Sequence, residues 1–152
     1  MKDLITYVKA ILLPVILGTV IGFITSGSMD FDMLIQPSFA PPAILFPIVW
    51  SILYVFMGIS YGILKSKNLA NEKINKIYYA QLFVNLSWSI IFFIFKWRLF
   101  AYFWILLLIV LVLLMIKEFY DKNKTAGLLQ IPYLIWIVFA SFLNLLIYLL
   151  NR

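Results

Sequence analysis

Five apolar runs, each close to the length of a membrane crossing, constrain this chain more than any other feature. They cover residues 4–25, 43–64, 74–95, 99–116 and 128–150. A helix needs about 20 residues to cross a hydrocarbon core roughly 30 Å thick. Lipid offers no partner for backbone N–H and C=O groups, so only helices and closed barrels can span it. The runs are continuous rather than alternating, and a barrel would need many more segments. The expected fold is therefore an all-α membrane protein, a single bundle of five transmembrane helices in one domain over residues 1–152. Composition agrees: 65% of residues are hydrophobic and 12% charged, against about 25% charged in a soluble domain.

The first run, within "MKDLITYVKAILLPVILGTVIGFITSGS", has the basic start and small-residue end of a signal peptide. Its apolar stretch is long enough to span, so it is read as a retained first helix.

The net charge of +6 does not form a nucleic-acid patch, because the basic residues fall in short gaps between apolar runs. Lys2, Lys9, Lys65, Lys67, Lys73, Lys76, Lys117, Lys122 and Lys124 lie on one side of a five-span path, and Lys96, Arg98 and Arg152 on the other. Nine cations against three predict a cytoplasmic N-terminus and an external C-terminus. Histidine and cysteine are absent, which excludes disulfides, thiolate or imidazole metal sites and Ser-His or Cys nucleophiles. The six carboxylates, Asp3, Asp30, Asp32, Glu72, Glu118 and Asp121, fall at span ends or in loops. A proton-coupled transporter would place an ionisable group at mid-membrane depth.

Helical spacing groups the polar and aromatic residues by face. Phe46, Trp50, Tyr54 and Met57 share one face of the second span, and Gln81, Asn85, Trp88 and Phe92 one face of the third. Tyr133, Trp136, Ala140 and Leu143 share a face of the fifth, with Asn144 at its edge. The fourth span is nearly all aliphatic after its first turn, as a lipid-facing or scaffold helix would be. Trp97, Tyr61, Tyr120, Tyr78 and Tyr148 lie near span ends and are expected in an interfacial belt. Asn85 lies near mid-span, where an unpaired amide is costly. It is either an interhelical hydrogen bond or a polar anchor in a ligand pocket. Gly18, Gly22 and Ser26 form a small-residue stripe suited to close packing, within the chain or between copies. Pro14, Pro47 and Pro132 either kink helices or sit in first turns, and Gly127 suits a break before the last span.

The stretch "IQPSFAPPAILFPIVW", residues 35–50, carries Pro37, Pro41, Pro42 and Pro47. Prolines stiffen a loop without leaving amide donors to satisfy. A mere connector would be far shorter, so the loop is expected to act as a lid that costs little ordering entropy on ligand binding.

These residues resemble the signature of the translocator protein family (TspO, or peripheral-type benzodiazepine receptor). The likeness is carried by Phe31, Leu34, Pro37, Phe39, Pro41 and Pro42, then by Phe46, Trp50, Leu53 and Tyr54. "NLSWSIIFF" from Asn85 and "LLQIPYLIWIVFASFLN" from Leu128 continue it in the family's order. The resemblance implies five helices around a pocket with the first loop as lid, a binder of porphyrins, sterols and benzodiazepine-type ligands, and a homodimer in a bacterial cell membrane or the mitochondrial outer membrane. It implies pocket roles for Trp50 and Trp136, the amide of Asn85 and the small Ala140. With the face groupings, the expected ligand-binding set is Phe31 and Phe39 of the loop, Phe46, Trp50, Tyr54, Asn85, Trp88, Tyr133, Trp136 and Ala140. Phe39 departs from the usual loop tryptophan, and the sterol motif of the last helix is degraded at Leu145, where a tyrosine is usual. Family members also degrade protoporphyrin under light, which implies photochemical roles for Trp50 and Trp136. The expected function is binding of a flat, hydrophobic, anionic tetrapyrrole such as protoporphyrin, as ligand or substrate and with no required cofactor. The alternative is a transporter or channel that moves it.

Overall fold

The computed structural model describes all residues, 1–152. Helix α1 (Lys2–Ser26) leads into a long loop that contains a single 3-10 turn, Phe31–Met33. Then come α2 (Leu45–Ser66), α3 (Glu72–Ser89), α4 (Arg98–Lys122), the short α5 (Lys124–Leu128) and α6 (Ile131–Asn151). Residues Ile90–Ile94 extend α3 as a wider π turn, in which Phe95 N–H reaches the Ile90 carbonyl at 3.1 Å. There are five spans long and apolar enough to cross a membrane: α1, α2, α3 with its π turn, α4, and α5 joined to α6. The expected five-helix bundle is what the chain forms.

Local chemistry sets the ends. Asn71 and Asn123 cap α3 and α5 by accepting from Ile74 N–H at 2.9 Å and Ala126 N–H at 3.0 Å. Pro47 and Pro132 sit in first turns, where no intrahelical donor is lost, whereas Pro14 is buried inside α1. The three residues between the π turn and α4 reverse the chain because Lys96 adopts a left-handed conformation, φ 57°, strained for a non-glycine residue.

Three expectations change. Helix α4 runs past residue 116 to Lys122 and α2 starts at Leu45 rather than 43, because hydropathy marks the membrane's edge and not the end of a hydrogen-bond ladder. Gly127 lies within α5 instead of breaking the chain. A side chain there would meet the backbone of Tyr120 at 2.7–2.8 Å, so its smallness lets α5 fold back against α4. Tyr61 and Tyr78 are buried, not interfacial. Their rings stack at 3.9 Å, and Tyr61 hydrogen-bonds Asn75. Trp97 and Tyr120 are exposed, as a belt requires.

The core joins Met57 and Leu64 of α2, Ile74 and Leu82 of α3, Ile105, Leu108, Val112 and Met115 of α4, and Ile137 of α6. Helix α4 is both of the things its composition allowed, with that buried face and an outer face of Phe103, Leu107, Val110 and Leu114. Only 11% of the apolar window of α1 is buried. It packs on α2, where Gly18 lies under the Tyr54 ring and Gly58 touches the α1 backbone at Ala10 and Ile11. Of the small-residue stripe, Gly18 is used within the chain, while Gly22 has no neighbour that a side chain would meet.

Candidate functional site

An aromatic wall joins α2 to α6. Phe46 meets the edge of Trp136 at 5.7 Å, and Trp50 stacks on Tyr54 at 5.6 Å while meeting Tyr133 edge-on at 6.2 Å. The loop caps this wall through Phe31, buried against Phe46 at 5.0 Å, and Phe39, against Phe139 at 6.1 Å. Helical spacing on two antiparallel helices brings these rings together, because residues three or four apart on each present one stripe.

A hydrogen-bonded relay runs behind the wall. Tyr54 O–H donates to Asn85 Oδ1 at 2.7 Å, Asn85 Nδ2 donates to Tyr133 Oη at 2.7 Å, and Tyr133 O–H donates to Gln81 Oε1 at 2.8 Å. Three helices are thereby joined through neutral groups. Of the two readings of Asn85, the interhelical bond is the one this arrangement contains.

Beside the wall, α2 and α6 leave a cleft of about 590 Å³, lined by Pro41, Leu45, Val49, Ile52, Leu53, Pro132, Ile135, Trp136 and Phe139. It opens sideways, since Ile52 and Ile135 are largely exposed on its rim. Trp136 is the one expected site residue on its surface, and its Nε1–H is buried with no acceptor. Trp50 lies outside the lining. Ala140 is buried one turn beyond Trp136. Trp88 stands apart: it stacks on Phe92 at 5.1 Å and donates to Asn144 Oδ1 at 3.1 Å. The aliphatic lining residues carried no signal, because an apolar residue in an apolar helix is equally suited to lipid, core or cleft.

The loop is tied down at its polar residues. Asn151 clasps the Ile35 backbone by two bonds of 2.9 Å, and Gln36 donates to the Phe31 carbonyl. Arg98 reaches Asp30 at 2.7 Å, Lys96 reaches it at 3.4 Å, and Asn144 donates to the Arg98 carbonyl at 2.8 Å. Burial pushes the Asp30 carboxyl up, but the hydrogen bonds and charges of Arg98 and then Lys96 outweigh it and hold it below its ordinary range. A depressed carboxyl contributes stability above its unfolded value, about 3.9, and loses it as pH falls through the folded value. This tie therefore holds at neutral pH and opens only in acid.

Asp30→Asn is accordingly expected to loosen the loop at pH 7 by about 1–2 kcal/mol, the order for breaking a half-buried pair. Hydrogen exchange across residues 27–44 should rise in the variant, and the gap from the parent should begin to narrow only once pH falls below the unfolded carboxyl value of about 3.9. Equal exchange at pH 7 would show that Asn151 and Phe31 hold the loop unaided.

The family model for the TspO/MBR family matches residues 10–149. This chain belongs to the TspO/MBR family. Among its relatives, a tryptophan-rich protein TspO of Archaeoglobus fulgidus is 36% identical over 152 residues, 98% of this chain and 99% of that protein. Another of the same name, from Chlorobaculum tepidum, is 36% identical over 128 residues, 82% of this chain and 81% of the relative. Protein CrtK of Rhodobacter capsulatus is 35% identical over 134 residues, 86% and 83% of the two chains. The TspO/MBR match spans all of the wall, the relay and the cleft. What that site offers is shape, stacking surface and neutral donors, with electron-rich indole and phenol rings in place of acids or bases.

Proposed function

We propose that this TspO/MBR protein binds a flat, hydrophobic, anionic tetrapyrrole, of which protoporphyrin is the test case, in the cleft between α2 and α6. The observation that carries the reading is the position of Trp136. Its indole lines an apolar cleft of about 590 Å³ and its N–H has no partner. That volume falls within the range of small-molecule sites, which are mostly apolar with a few placed polar groups. A bound ring would stack on the exposed face of the indole. Loop residues Phe31 and Phe39 would close over the wall as the lid.

Protoporphyrin added to the purified protein is expected to quench tryptophan fluorescence saturably. Trp136→Phe should remove a large part of that signal while changing affinity by less than about tenfold, since phenylalanine keeps most of the stacking surface, worth about 1 kcal/mol. Linear, unsaturable quenching would leave only partition into the detergent micelle. Flux into sealed proteoliposomes separates transport from binding.

A second reading, light-dependent porphyrin degradation, is favoured by the same indole. A ring bound in the cleft would meet the Trp136 indole, an electron-rich donor toward its excited state, while Trp50 is outside the lining and meets Tyr133 edge-on. Under light and oxygen, Trp136→Phe should slow bleaching more than Trp50→Phe does. Parental bleaching in both variants would leave a binding protein alone.

The N-terminus is placed in the cytoplasm on the charge count. Cysteine at Ser28 should then react with an impermeant maleimide on intact cells, and cysteine at Asn71 only after permeabilisation. Equal labelling would overturn that orientation.

A further inference from the structure

The end of the bundle that carries the long loop has three cationic side chains, Lys96, Arg98 and Arg152, and all three line one cleft of about 470 Å³. It lies where α4 begins and α6 ends. Asp30 pairs with Lys96 and Arg98, and with Asp32 also in the loop this end carries three cationic side chains against two acidic ones. Arg98 engages Asp30 through a terminal nitrogen and keeps its Nε buried without an acceptor, while Arg152 has no ion-pair partner. Helix α4 opens on the same wall behind Trp97, which supplies no side-chain cap. Its first-turn amides add partial positive charge there.

The cleft's other walls are not those of a soluble-anion site. Trp97 is 60% exposed and stands with Tyr148 at the rim, the residue types that settle at a lipid–water boundary. Below it, Phe100, Phe103, Leu107, Val110 and Leu114 are all exposed on α4. Steps of three and four residues place them in one stripe running from the cleft along the helix. Cations at the interface with an apolar track beneath them match a molecule with an anionic head and a hydrocarbon tail.

We propose that this cleft binds an anionic phospholipid, its phosphate on Lys96, Arg98 and Arg152 and an acyl chain along the α4 stripe. Free phosphate shares the head chemistry but has nothing to lay on the stripe. The site lies at the loop-bearing end of α4 and α6, away from the α2–α6 cleft, and does not depend on what that cleft holds.

The test compares the full-length parent with K96Q/R152Q in neutral detergent. Arg98 is left in place, so its bond to Asp30 and the loop persists. Native mass spectrometry counts retained phosphatidylglycerol against phosphatidylcholine of the same chain length, and a parallel titration uses inorganic phosphate. The parent should retain phosphatidylglycerol at least tenfold more readily, and the preference should fall about fivefold for each cation removed. Millimolar phosphate should leave the retained lipid in place. Equal retention of the two lipids, or an undiminished preference in K96Q/R152Q, overturns the proposal. Displacement by phosphate at concentrations near those of the lipid overturns it in favour of a soluble anion.

Discussion

Gly58→Ala is expected to cost about 3 kcal/mol and to displace α1 from the bundle. The added methyl carbon would lie against backbone atoms of α1, 2.7 Å from the Ala10 carbonyl oxygen and 2.9 Å from the Ile11 nitrogen, besides the Ile11 Cα. Backbone cannot rotate out of the way as a side chain does, so the helices must part. Overpacking of this kind usually costs 1–3 kcal/mol, and a backbone obstacle belongs at the upper end. Pro14 brings no N–H to the Ala10 carbonyl, so that oxygen has no i+4 donor on the side where Gly58 approaches. Gly22→Ala supplies the control. Nothing lies within 4 Å of a side chain there, and alanine should stabilise the helix by up to about 1 kcal/mol. Thermal unfolding in detergent should therefore move in opposite directions for the two substitutions. A Gly58→Ala melting temperature at or above the parent's would mean that α1 is free to slide on α2.

Asn85→Leu is expected to destabilise the protein by about 2–3 kcal/mol, before any ligand is considered. Leucine matches the amide in size but strips the relay of its centre. Tyr54 O–H loses its acceptor, and Tyr133 keeps only its bond to Gln81. A buried hydroxyl left without a partner costs more than the bond contributed, about 1–3 kcal/mol. Adding Tyr54→Phe removes the stranded hydroxyl, so the double variant should recover about 1 kcal/mol relative to Asn85→Leu alone. Strict additivity of the two losses would show that the relay does not act as a unit. Protoporphyrin affinity in the double variant then separates the two roles of the amide. A further loss of about 1–2 kcal/mol in binding identifies a ligand anchor, and unchanged binding identifies a packing bond.

The faces read from spacing were real, yet that of the third span divided in the fold. Phe46, Trp50 and Tyr54 did line up against Tyr133 and Trp136, because helical periodicity is local and α2 faces α6. Trp88 shares its helix face with Asn85 but follows Asn144 and the loop-bearing end instead. The offset between α3 and α6, which periodicity does not contain, sends it there. The tie from Asp30 to Arg98 and the clasp of Asn151 on Ile35 join residues 68 and 116 positions apart. No spacing within a single segment announces such a pair. Tyr61 and Tyr78 illustrate the opposite error. Their place near span ends suggested an interface, and only the packing of α2 on α3 turned them inward.

By itself the sequence determined the number and rough bounds of the spans, the absence of thiol and imidazole chemistry, the unusual first loop and the family. Each follows from local composition, helical period or motif order, which survive without knowledge of the neighbours. Tertiary structure alone decided which apolar face meets lipid, which lines a cleft and which is core. In water those fates differ in polarity and leave a pattern along the chain. In a bilayer the outside is as apolar as the inside, so Ile135 on the rim and Ile137 in the core are chemically alike and are distinguished only by what packs against them.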